Sequence, residues 1–204
     1  MDTAHLPHRR RSEAKPRRAG PGRRALPGRR PVVAAAVCAM FAVLLAGCDV
    51  RDVDWRNAAY TVTCPGMLTR PTTVRLVSGH GTGNSPGGPL YLTLATAITG
   101  DVTGDGRADQ VLLLGCAGVG SAYATEVQVF GDGPALLARL AAPPLVPSAS
   151  FRPQFTRVWV AGRQLQTVAE YWAPTDCHFC ASTHLSITWR WTGRGFAVAH
   201  WYRL

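Results

Sequence analysis

The stretch LSITWRW at residues 185–191 decides the fold class. Leu185, Ile187, Trp189 and Trp191 alternate with Ser186, Thr188 and Arg190, so a two-residue repeat puts all four apolar side chains on one face. A helix would scatter them around its circumference, whereas a strand buries them together. TGRG at 192–195 supplies a turn into residues 196–202, which makes a C-terminal hairpin.

The same alternation recurs outward from this point. Residues 158–160 and 163–172 flank Ala161-Gly162 as a second hairpin, and residues 126–130 and 135–140 flank GDGP at 131–134 as a third. For 135–140, ALLARL also allows a short helix. Residues 90–99 and 110–116 bracket an Asp-rich loop, and 59–64 and 73–78 complete about ten strands. Residues 80–89, rich in Gly, Ser, Asn and Pro, read as an exposed loop, and the Pro-rich stretch 143–153 joins the two halves. No 3.6-residue apolar stripe competes with these patterns, so the expectation is an all-β domain over residues 58–204, built of antiparallel meander sheets as a sandwich or a partial propeller.

The whole chain has 204 residues and a formal charge of +10, but the charge is not spread evenly. Residues 1–47 hold nine Arg and Lys15 against Asp2 and Glu13, whereas residues 48–204 hold twelve Arg against ten acids. The basic excess belongs to the N-terminal segment, and no nucleic-acid-binding face is expected. Residues 1–30 are too poor in apolar groups to offset chain entropy and should be disordered. Residues 32–46, VVAAAVCAMFAVLLA, follow without a charge. At helical rise they reach about 22 Å, short of a hydrocarbon core of roughly 30 Å, which suits a cleaved signal peptide over a membrane span. Arg29 and Arg30 before this run leave both the general and the twin-arginine export routes open.

The apolar run ends in Leu45-Ala46-Gly47-Cys48, which resembles the lipobox of bacterial lipoproteins. The resemblance implies cleavage between Gly47 and Cys48, with a diacylglyceryl group on the Cys48 thiol and a mature chain held on the outer face of the cell membrane. Residues 48–57 would then be a polar tether. Four cysteines remain, Cys64, Cys116, Cys177 and Cys180, and an even number outside the cytoplasm reads as two disulfides with three possible connectivities. Pairing Cys64 with Cys116 and Cys177 with Cys180 is favoured, because the latter two are adjacent and the former would staple two strands. Cys177-His-Phe-Cys180 also has the spacing of a redox motif, and His178 adds a zinc ligand type. No βαβ unit surrounds it, so a structural disulfide is the better reading.

One motif carries ion chemistry. In DVTGDGRAD at 101–109, oxygen-bearing groups at alternating positions with Gly106 at the turn can wrap a hard cation. Carboxylates of Asp101, Asp105 and Asp109, the Thr103 hydroxyl and the Arg107 carbonyl form the candidate calcium set. Leu112 stands where a helix–loop–helix calcium site has its Glu, so the motif is no EF-hand. With strands on both sides, it resembles the calcium loop of FG-GAP/VCBS-type repeats, which implies one four-stranded blade across residues 90–140. A single copy cannot close a propeller. The competing reading is an Asp/Gly turn that caps its own amides. The layout as a whole resembles a group of actinobacterial lipoproteins, a resemblance that implies no activity.

Trp189 and Trp191 share a face and, if exposed, would bind a glycan or a protein partner; a core role is the alternative. The histidines lack metal-ligand spacing, and Glu126, Glu170 and Asp176 are too dispersed to pair as acid and base. The expectation is a membrane-anchored, non-catalytic binding or structural module with a calcium-stabilised loop. A surface-anchored hydrolase of envelope polymer is the alternative.

Overall fold

The computed structural model describes residues 49–120, 122–146, 152–177 and 179–204. The signal region, Gly47, Cys48 and His178 therefore lie outside the described residues. Among those described, no helix is long and apolar enough to cross a membrane.

A 3₁₀ turn at Val50–Asp52 leads into eleven strands: β1 Ala59–Val62, β2 Thr72–Arg75, β3 His80–Ser85, β4 Gly88–Gly100, β5 Asp109–Ala117, β6 Tyr123–Gly131, β7 Ala135–Leu140, β8 Gln154–Ala161, β9 Gln164–Tyr171, β10 Thr183–Trp191 and β11 Phe196–Arg203. They form three antiparallel sheets, a β1-β2 ribbon, a five-stranded β3-β4-β5-β6-β7 meander and a four-stranded β8-β9-β10-β11 meander. The molecule is all-β, as the alternating patterns predict.

The centre of the five-stranded sheet, β5 and β6, is buried on both faces, and the residue parity of β5 explains how. Leu112, Leu114 and Cys116 point into one core with Tyr60, Val62 and Val74 of the ribbon. Val111 and Leu113 point into a second core with Phe155, Leu165, Leu185, Ile187 and Trp189 of the four-stranded sheet. A strand buried on both faces reads as a continuous apolar run, which is why residues 111–114 are Val-Leu-Leu-Leu and do not alternate. Residues 135–140 form a strand, with Val129 opposite Ala138 and Phe130 opposite Leu136.

Two expectations are corrected. Residues 80–85 are not loop: β3 pairs along β4 from His80 opposite Thr93 to Ser85 opposite Gly88. Its glycines serve close packing. A Cβ on Gly81 would lie 2.4 Å from the Arg75 carbonyl oxygen, and one on Gly83 would lie 2.7 Å from a Val74 methyl. The glycines that suggest a loop are what lets β3 approach β2. Residues 49–57 are likewise no slack tether. Val50 and Trp55 are buried in the ribbon-side core, with the Trp55 ring 4.8 Å from that of Phe130. The Trp55 indole N–H donates to the Val50 carbonyl at 2.8 Å, and the Tyr60 hydroxyl donates to the Trp55 carbonyl.

Candidate functional site

The Asp-rich loop joins β4 to β5, and its carboxylates are turned onto its own backbone. Asp101 accepts from the amides of Gly104 at 2.6 Å and Gly106 at 3.1 Å, and Asp105 accepts from the Arg107 amide at 2.8 Å. Asp109 Oδ2 accepts three bonds, from the Val102 amide at 2.8 Å, the Thr103 amide at 3.0 Å and the Thr103 hydroxyl at 3.1 Å. Gly104 and Gly106 have φ of +79° and +86°, a conformation that disfavours side chains and lets the loop curl back. Val102 is buried in the core and pins the turn from beneath. Burial pushes the Asp109 carboxyl above the ordinary carboxylate range, although its hydrogen bonds pull the other way.

Thr103, Asp105, Arg107, Asp109 and Trp191 line one depression of about 160 Å³, together with Asp132, which pairs with Arg107. Arg163, from the β8–β9 turn, stands 3.5 Å from Asp101. Among the described residues no group of three or more His, Cys, Asp or Glu side chains is gathered to hold a metal ion.

The two tryptophans do not form an exposed platform. Trp189 is buried, its indole donates to the Thr167 hydroxyl at 3.0 Å, and its ring meets Phe155 edge-on. Trp191 is half-buried against Phe196, with centroids 5.0 Å apart. The cysteines pair as favoured, Cys64 with Cys116 and Cys177 with Cys180.

The three dispersed acids fall in three unrelated places. Glu126 lies beneath the ribbon, where one carboxylate oxygen accepts from the Thr63 amide, the Thr63 hydroxyl and the Cys64 amide at 2.9, 2.6 and 3.0 Å. Asp176 organises the segment between β9 and β10 by accepting from the Ala173 amide at 2.7 Å, the Ser182 amide at 2.9 Å and the Ser182 hydroxyl at 2.7 Å. The Ser182 hydroxyl bond leads in holding the Asp176 carboxyl below its ordinary range.

Glu170 opens onto a cleft that sequence spacing does not reveal. Where the edge strand β8 leans on the five-stranded sheet, a cavity of about 390 Å³ is lined by Tyr123, Thr125, Gln154, Phe155, Thr156, Glu170, Trp172 and Phe179, with Ala95 and Leu113. Two bonds fix its geometry. The Gln154 side chain donates to the Tyr123 carbonyl at 2.9 Å, and the Phe155 amide donates to the Thr125 hydroxyl at 2.7 Å. Gly115 gives the Tyr123 phenol room to lie across β5, since a Cβ there would sit 2.9 Å from its oxygen. Burial, followed by the charge of Glu170, raises the pKa of that phenol. Glu170 faces Gln154 and His184 across the strands, with its carboxylate 3.7 Å from His184 Nδ1. Phe179, 85% exposed, stands at the rim within the Cys177–Cys180 loop.

These residues come from separate segments, and only the folded sheets bring them together. No pattern read from the sequence pointed here: Tyr123 and Phe155 stand in strands, and Trp172 and Phe179 in the segment between β9 and β10. Neither a family model, nor a curated protein, nor a solved structure matches the chain.

Proposed function

We propose that this chain is a lipid-anchored, extracytoplasmic binding module that takes its ligand in the cleft between β6 and β8. The cleft itself carries the reading. It has the size and the mix of apolar walls with a few polar groups that small-ligand sites have, and β8 and the Cys177–Cys180 loop frame it. Hydrolysis of a glycan polymer ordinarily needs two carboxylates flanking the scissile bond, and the described lining residues supply Glu170 alone. Binding is therefore the better reading. The anchor rests on the lipobox ending at Cys48, one residue before the docked segment that begins at Asp49.

Titrating the detergent-solubilised full chain with neutral aromatic and sugar fragments, followed by NMR shifts, tests the cleft. Tyr123, Thr125, Gln154 and the Trp172 indole should shift together, and Gly115→Val, which displaces Tyr123, should abolish the pattern. Shifts scattered over the surface would remove the cleft as the site. Cys48→Ser tests the anchor, and continued membrane retention without acylation would overturn it.

Calcium at the Asp-rich loop, with its FG-GAP/VCBS-like reading, is a second proposal. It is favoured by Asp105, which lies exposed at the turn with an oxygen that no loop amide engages. Calorimetry of the full chain should give calcium heat and a raised Tm that Asp105→Ala removes. No heat in the parent would leave a self-capped turn.

A further inference from the structure

The cleft's charge narrows its ligand. Glu170 is the one charged side chain among the described residues that line it; Thr125, Gln154 and Thr156 are neutral, and the other walls are aromatic or aliphatic. A carboxylate partly withdrawn from water attracts a cation more strongly than it does at an open surface. Aromatic walls add the attraction of their ring electrons for the same charge, and they accept apolar substituents that an inorganic ion lacks. An anion would meet Glu170 unfavourably, and a neutral sugar would have no use for its charge. His184 stands beside Glu170 and is not itself part of the lining, so it leaves the cleft side of the carboxylate open.

We infer that the cleft selects an organic cation, an ammonium group carrying apolar substituents, with Glu170 as its counter-charge and Tyr123, Trp172 and Phe179 as its aromatic surround. The inference rests on the cleft being the binding site. The probes that test it are choline and its neutral isostere 3,3-dimethylbutan-1-ol, titrated calorimetrically and by tryptophan fluorescence into the full chain.

Choline should bind about tenfold or more tightly than the isostere, and Glu170→Gln should bring the two within about twofold by weakening choline alone. Equal binding of both probes in the parent would overturn the inference and leave the cleft as a site for neutral ligands. Loss of both probes in Glu170→Gln would also overturn it, because the carboxylate would then be shaping the cleft without selecting charge. If neither probe binds while the neutral fragments still do, the inference alone falls. If nothing binds in the cleft, the binding-module reading falls with it.

Discussion

Carboxylates on backbone amides tie both ends of the strands, but among the described residues disulfides brace only one. At one end the turns 100–109 and 131–135 line a depression with Asp49 and are joined by the Arg107–Asp132 pair, while Arg163 of the turn 161–164 reaches Asp101 and Trp191 lines the depression on the other side of Arg107. That end is tied by carboxylates on backbone amides, and among the described residues it has no disulfide. Toward the other end lie both disulfides and the cleft, which reaches from Leu113, midway along β5, to Tyr123 at the start of β6. If Cys48 carries the lipid, the docking of residues 49–57 leaves little slack. The end without a disulfide among the described residues then faces the membrane, and the covalently braced end carries the cleft away from it. Bracing belongs where a ligand must find preformed walls.

Removing the Cys64–Cys116 bond should break this arrangement most severely. It joins positions 52 residues apart and ties the ribbon to β5. Closing a loop of that length restricts the unfolded chain by about 4 kcal/mol. Cys64→Ser with Cys116→Ser should lower stability by that order in urea denaturation, and a loss below about 1 kcal/mol would show that packing alone holds the ribbon.

Asp109→Ala asks the same question of the other end. It leaves the Val102 amide without its acceptor in a buried setting, and the Thr103 donors lose theirs as well. A cost of about 2–3 kcal/mol is expected, read as a shift in urea midpoint with an unchanged slope. The short Cys177–Cys180 loop should matter less to the fold, below about 2 kcal/mol. Cys177→Ser with Cys180→Ser should instead weaken ligand binding in the cleft by freeing Phe179, which separates bracing of the site from bracing of the domain.

How much of this the sequence discloses follows from which forces are local. The alternation at 185–191 and the turn glycines at 193 and 195 are local, and β10 and β11 follow from them. The Asp-rich loop is local too, and its two readings differ only in what the carboxylates face. β3 escapes because its glycines answer to Val74 and Arg75 on another strand, a requirement visible only once β2 and β3 are side by side. Trp55 escapes for the same reason: its partner Phe130 is 75 residues away in sequence but 4.8 Å away in space. The cleft is the extreme case. Gly115 makes room for Tyr123, Gln154 answers Tyr123 across two sheets, and no spacing in the chain records either relation.

The smallest effect distinguishes the two ends by sign. Each has a three-bonded aspartate cap, Asp109 at the turn end and Asp176 beside the cleft, yet burial raises one pKa and a hydroxyl bond lowers the other. A carboxyl raised in the folded state holds its proton more tightly there than when unfolded. Its contribution is full below the unfolded value near about 4 and is lost as pH rises through the raised value. Asp176 behaves oppositely: its contribution is present above about 4 and is lost as pH falls through the lowered value. Urea midpoints of Asp109→Asn and Asp176→Asn, each taken against the parent between about pH 2.5 and 7, should therefore diverge. The advantage of the parent over Asp109→Asn should shrink as pH rises, and its advantage over Asp176→Asn should grow. Parallel curves would mean that the two caps sit in equivalent surroundings, and that the greater burial of Asp109 does not reach its carboxylate.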